Sequence, residues 1–158
     1  MTYDVESFLA DLETHLKTNL NTKITAINAE KADSVVLRSV DNAAYLFQTM
    51  DDTVANYDPY VYYGIQDIES QGNGAQTLNR FTVIVAIIIH DAAGDILVGK
   101  RMLRYSRVLS EVMEDRYSSI GSEYKKTKIS SLVPITFRLL DDSNNYRAIG
   151  IELEIILG

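Results

Sequence analysis

The stretch from Leu78 to Asp91, LNRFTVIVAIIIHD, constrains the fold more than any other part of the chain. It is β-branched almost throughout, which favours a strand over a helix. Successive strand side chains point to opposite faces. Phe81, Val83, Val85, Ile87 and Ile89 therefore share one face, and Ile84, Ala86 and Ile88 share the other. A strand that is apolar on both faces is expected to be covered on both. This is a central strand, with layers above and below it. Its apolar run, Val83–Ile89, is far shorter than the roughly 20 residues that span a bilayer.

The flanking pattern supplies helices and further strands. Val5, Phe8, Leu9, Leu12, Leu16 and Leu20 recur at helical spacing and predict a helix from about Asp4 to Leu20. Thr2 or Asp4 would cap it, and Asn19 and Asn21 mark its expected end. From Lys23 to Asp52 the pattern leaves alternatives open. Ile24 and Ile27 fit a strand or a short helix through Glu30, Ser34–Val40 fits a strand, and Ala43–Met50 fits either state. Asp58-Pro59 is a break. Tyr60–Ile68 then predicts a strand, with Gly64 as a bulge position. Glu69–Thr77, centred on Gly72, Asn73 and Gly74, predicts a mobile hairpin loop longer than a tight turn.

After the central strand, Asp91–Asp95 predicts a turn with Asp95 as N-cap of a second helix reaching about Tyr117. Val98, Met102, Tyr105, Leu109 and Val112 form the seam by which that helix lies on a sheet. Ser118–Lys128 predicts a second flexible loop. Ile129–Leu140 and Tyr146–Leu157 close the chain as a hairpin around Asp141–Asn145, with Pro134 suggesting an edge or a bulge. In the last strand Ile151, Leu153, Ile155 and Leu157 face the core and Glu152 and Glu154 face out. That strand ends the chain uncovered, as an edge open to a neighbour. The expected fold is α+β: an antiparallel or mixed sheet of about four strands packed by two main helices, in a single domain of 158 residues.

Composition excludes several function classes. There is no cysteine, so disulfides and thiolate metal sites are ruled out. A net charge of −7 disfavours general nucleic-acid binding, although a local basic patch could still touch DNA. No signal peptide opens the sequence. The two histidines, His15 and His90, form no metal-binding or nucleophile–base spacing, so the chain is expected not to be an enzyme and to need no cofactor or metal. Gly72-Asn73-Gly74 lacks the context of a phosphate loop. Asp51-Asp52 and Asp141-Asp142 read as turn carboxylates. Glu152 and Glu154 read as a solvated face, or as a salt bridge to Arg138 on the neighbouring strand.

Two clusters stand out. Lys100, Arg101, Arg104 and Arg107 place four cations within eight residues of a chain with fifteen. They make either a solvated face paired with Glu111 and Glu114 or a surface for an acidic partner or for DNA. Tyr57, Tyr60, Tyr62 and Tyr63 suit core packing and an interface equally. With the Gly72-Asn73-Gly74 loop, these are the candidate interface residues.

The order of these pieces is similar to that of the tailed-bacteriophage tail terminators and related neck, or head–tail joining, proteins. The residues that carry the likeness are KTNLNTKITAINAEK at the end of the first helix, PYVYYGI, the glycine-rich hairpin and RFTVIVAIIIHD. The helix GKRMLRYSRVLSEVM and the closing strand YRAIGIELEII complete it. The resemblance implies a structural virion protein made in the host cytoplasm and resident in the neck, at the head-proximal end of the tail. It would form a homohexameric ring that caps the tail tube and joins it to the head connector. Implied partners are other copies of the chain, the tail tube protein and a connector or adaptor protein, with DNA passing the lumen. No membrane, cofactor or catalysis is implied. Two other readings stay open: another neck or head-completion adaptor, and a small-ligand-binding α+β domain, which would show a concave pocket.

Overall fold

The computed structural model describes residues 5–47, 57–73, 76–90, 97–114, 126–140 and 145–157. The elements run α1 (Val5–Lys31), β1 (Tyr45–Phe47), β2 (Tyr60–Asn73), β3 (Gln76–His90), α2 (Val98–Glu114), β4 (Lys126–Leu140) and β5 (Asn145–Leu157). The strands form one mixed sheet in the order β1-β2-β3-β5-β4. Neighbouring long strands are antiparallel, and β1 adds in parallel along the start of β2. The α+β class, the mixed sheet and the two helices all match the expectation from the sequence.

β3 sits at the centre because it can lose both edges and one whole face to apolar neighbours. Across the sheet its residues make continuous rows: Val61, Ile87 and Ile149; Tyr63, Val85 and Ile151; Ile65, Val83 and Leu153. All but Ile65 are buried. Phe8 meets Phe81 edge to face with centroids 5.7 Å apart, which sets α1 on this side. The opposite face is covered unevenly. Tyr60, Ile88 and Ala148 are buried there, while Tyr62, Ile84, Glu152 and Glu154 are half-buried. Two complete layers were expected. The alternating Gly150, Glu152 and Glu154 of β5 give that face too little apolar surface for a full second layer.

Several boundaries differ from expectation. α1 does not stop at Asn19 or Asn21 but runs 27 residues to Lys31. Its apolar stripe continues through Ile24 and Ile27, both buried. The asparagines serve other ends. Asn21 donates to the Val40 carbonyl at 2.9 Å and accepts from the Val40 amide at 2.8 Å. Asn28 treats Leu37 identically, at 2.9 and 2.8 Å. Each side-chain amide thus replaces the strand neighbour that residues 34–40 lack, so this segment packs along α1 and joins no ladder. The helix turns into it at Ala32, whose φ of 44° lies in the left-handed region. Asp33 then accepts from the Val35 amide at 3.0 Å.

The hairpin of β2 and β3 is longer than expected. Gly72 pairs with Thr77 and Asn73 with Gln76, so most of the expected loop Glu69–Thr77 is ladder. Gly74 lies outside the described residues. The irregularity in β2 falls between Ile65 and Asp67 and not at Gly64. A cis Asp58-Pro59 peptide precedes the strand. β4 starts at Lys126, inside the expected loop Ser118–Lys128, and residues 118–125 lie outside the described set, as do Asp95 and Tyr117. Among the described strands β4 lies at the edge, and Pro134 falls in a gap of its ladder between Ser131 and Ile135, as the proline suggested. The C-terminal strand β5 is not an edge, since it lies between β3 and β4. Arg138 stands opposite Arg147, and the residues opposite Glu152 and Glu154 are Ser131 and Lys128.

The turn out of α1 generates a paired prediction. A non-glycine residue in the left-handed region costs about 1–2 kcal/mol, so Ala32→Gly should raise the unfolding free energy by about 1 kcal/mol. Asn28→Ala strands the amide and carbonyl of buried Leu37 and should lower it by about 2 kcal/mol. Urea denaturation measures both. An Asn28→Ala chain as stable as the parent would contradict the stitching role.

Candidate interaction surfaces

α2 buries Val98, Met102, Tyr105, Val108, Leu109, Val112 and Met113. That leaves its charged positions on the flank facing the end of α1. Arg104 makes a two-pronged pair with Asp33, at 2.9 and 2.5 Å, and also donates to the Val35 carbonyl. Arg107 makes a second fork with Glu30, at 2.8 and 2.7 Å, and its Nε donates to Glu111 at 2.5 Å. Glu111 also meets Lys23 at 3.2 Å. The expected pairing with Glu111 is present. The other acids come from α1 and the turn after it, where the sequence had suggested Glu114. Helical periodicity sees neighbours on the same helix and is blind to an acid 77 positions away.

The electrostatic consequence is direct. Hydrogen bonds from Arg107 hold the Glu30 carboxyl down to about 2, and those from Arg104 hold Asp33 down to about 2. Lys100 is exposed, and its charge helps to lower Asp33. Arg101 is half-exposed on the same helix. Arg104 and Arg107 thus clamp α1 to α2, and their forks are occupied within the chain.

The tyrosine cluster divides in the same way. Tyr60 and Tyr63 are 3% and 4% exposed and belong to the core, while Tyr57 and Tyr62 are half-buried and pack against it. The Tyr63 hydroxyl donates to Glu13, which also holds Lys17 at 2.5 Å. Burial, then Glu13, pushes the Tyr63 hydroxyl up, and Lys17 and Tyr63 draw Glu13 down. Tyr105, missed as a polar anchor, binds both backbone groups of Arg38 through its hydroxyl, at 3.0 and 2.9 Å. Gly72 and Asn73 lie on the ladder near the tip of the β2–β3 hairpin.

Both histidines have structural neighbours. His15 is not an ordinary surface residue. Its Nε2 donates to the Val112 carbonyl at 2.9 Å, tying α1 to α2, and Nδ1 accepts from Asn19 at 3.2 Å. His90 ends β3, where its amide donates to Asp58 at 3.1 Å. Among the described residues, no group of three or more histidines and carboxylates could hold a metal ion, and no helix is long and apolar enough to cross a membrane.

One concavity escaped the sequence. A groove of about 650 Å³ opens between the first half of α1 and the β1–β2 side of the sheet, lined by Val5, Leu9, Phe47, Tyr63 and Ile65 with Glu6 and Glu13. Phe47 is 43% exposed and packs on Tyr63 with ring centroids 5.6 Å apart. The groove depends on how α1 crosses the sheet, which no local pattern encodes. Compared with known proteins, the chain matches no protein-family model and no curated protein.

The clamp makes stability depend on pH in a defined direction. Glu30 and Asp33 are held below their ordinary values of 4.5 and 3.8, to about 2. Their contribution is therefore complete above the ordinary range and is lost as pH falls from there through about 2. Combining Arg104→Met with Arg107→Met should lower the urea midpoint at pH 7 and flatten its fall into acid. Added salt should shrink the difference, because the carboxylates of both pairs are solvent-exposed. Parallel pH profiles for parent and variant would contradict the clamp.

Proposed function

We propose that this chain is a structural assembly protein of the tail-terminator kind, which forms a homohexameric ring at the head-proximal end of a phage tail. Two lines support the reading. One is the resemblance in element order and texture described above. The other, which carries most weight, is the architecture of the sheet edges. Among the described residues, β4 has a strand on one side only, and β1 accompanies β2 only from Val61 to Tyr63. Sheet edges are surfaces on which another chain can add strands. A head-to-tail contact repeated around an axis closes a ring. In this reading the ring's two faces meet the tail tube protein and the head connector, and DNA passes its lumen. The exposed cation Lys100 is available to such neighbours.

The groove favours a second reading, a small-ligand-binding domain. Its volume of about 650 Å³ falls within the roughly 300–1,000 Å³ of ligand sites, and its lining is mainly apolar.

Native mass against concentration, together with a reconstruction of the virion that carries the chain, separates the readings. The mass should rise towards six chains, and the ring should sit where the tail tube meets the head. A ring in another neck layer would point to a connector or adaptor. A monomer at every concentration that binds an apolar small molecule, with binding blocked by Leu9→Arg, would favour the ligand-binding domain.

A further inference from the structure

The two sides of the sheet differ in charge. β2 beyond the irregularity, from Asp67 to Asn73, carries Asp67 and Glu69 and no cation, whereas β4 carries Lys126, Lys128 and Arg138 and no acid. The ladders fix where these residues stand. Glu69 pairs with Arg80, Arg80 with Ile156, and Ile156 with Lys126. Asp67 pairs with Thr82, Thr82 with Glu154, and Glu154 with Lys128. Both of these rows therefore begin with an acid on the β2 side and end with a lysine on the β4 side.

Strand direction fits as well. β2, β3, β5 and β4 alternate, so β2 and β4 run in opposite directions. A second copy displaced along the rows would set its β4 antiparallel to β2 and extend the same ladder. The stretches also correspond in level. The last pair of β1 with β2 is Phe47 with Tyr63. The β4 ladder is regular through Lys128 and first shifts between Lys128 and Ser131, whose row leads through Glu152 and Ile84 to Gly64. Below that level, among the described residues, no further strand pairs with β2 or β4.

We infer that the strand segment Lys126–Lys128 of one copy pairs with Asp67–Glu69 of the next, with Lys126 opposite Glu69 and Lys128 opposite Asp67. The occupant of each side is thus a second copy of this chain, joined head to tail. Opposite charges directly across an antiparallel pair are favourable, and like charges are not. A two-fold contact of β2 with β2 would set acids against acids, and one of β4 with β4 would set lysines against lysines. Only the head-to-tail contact satisfies both sides, and it leaves a further pair of sides to propagate. The inference rests on the assembly reading above but not on the location of the assembly.

Zero-length carbodiimide coupling of carboxylates to lysines tests it on the unaltered protein. Within one chain the two sides are three strand spacings apart, roughly 14 Å, so a direct link between them must join two molecules. An equal mixture of light and heavy-isotope protein should give mixed-isotope peptides joining Glu69 to Lys126 and Asp67 to Lys128. Reversing both acids, Asp67→Lys with Glu69→Lys, should weaken self-association by about tenfold or more. Adding Lys126→Glu and Lys128→Glu to that chain should restore it. A protein that is monomeric at all concentrations, links that join other positions, or an acid-reversed chain that associates like the parent would each overturn the inference. A ring at the tube end without these links would sink the edge pairing and leave the proposed function standing. These links in an assembly found elsewhere would do the reverse.

Discussion

The contact on which the rest of this structure depends is the dry face between α1 and the central strand. Phe8 against Phe81 begins it, and Leu12, Leu16, Leu20, Ile24 and Ile27 continue the buried stripe of α1 into the same core. Phenylalanine at such a site typically contributes about 3–5 kcal/mol. Because the apolar stripe is long, the helix is long. The segment that follows can then run back along it, held by Asn21 and Asn28 and by the Tyr105 hydroxyl from α2. The arginine forks of α2 close the far end. The helical layer is thereby tied together by polar groups at its margins while its centre stays apolar.

Much of this was legible from residue pattern. The alternation in Phe81–Ile89 specified a central strand, and the four-and-three spacing of Val98, Met102, Tyr105, Leu109 and Val112 specified the face of α2. Failures arose where one residue type can serve two physical roles. Asn19 and Asn21 looked like a helix stop because asparagine often ends helices, but Asn21 spends its amide on a distant backbone. Ser34–Val40 has strand composition without a strand partner. Glu69–Thr77 looked like a loop because it is polar, yet an antiparallel ladder satisfies its backbone whatever its side chains.

The candidate interface residues were legible as clusters but not in their roles. Tyr60 and Tyr63 went to the core, and Arg104 and Arg107 went to acids far along the chain. Pairing across such separations follows from topology and leaves no local signal. What the topology adds is the relation between the sheet's two sides. Acids on β2 and lysines on β4 look unrelated in the sequence, and only the register sets them on common rows. A closed helical face and complementary sheet sides are what the proposed joining of copies requires.

Amide hydrogen exchange, measured below and above the association concentration, tests that description most directly. In the monomer, β3 and β5 should exchange slowly along their lengths, since each is paired on both sides. The outward amides of Asp67–Glu69 and of Lys126–Lys128 should exchange fast. On association those two sets, and not the rest of the surface, should become protected together. Equal slow exchange of both sets in the monomer, or protection on association that spares one of them, would contradict the account.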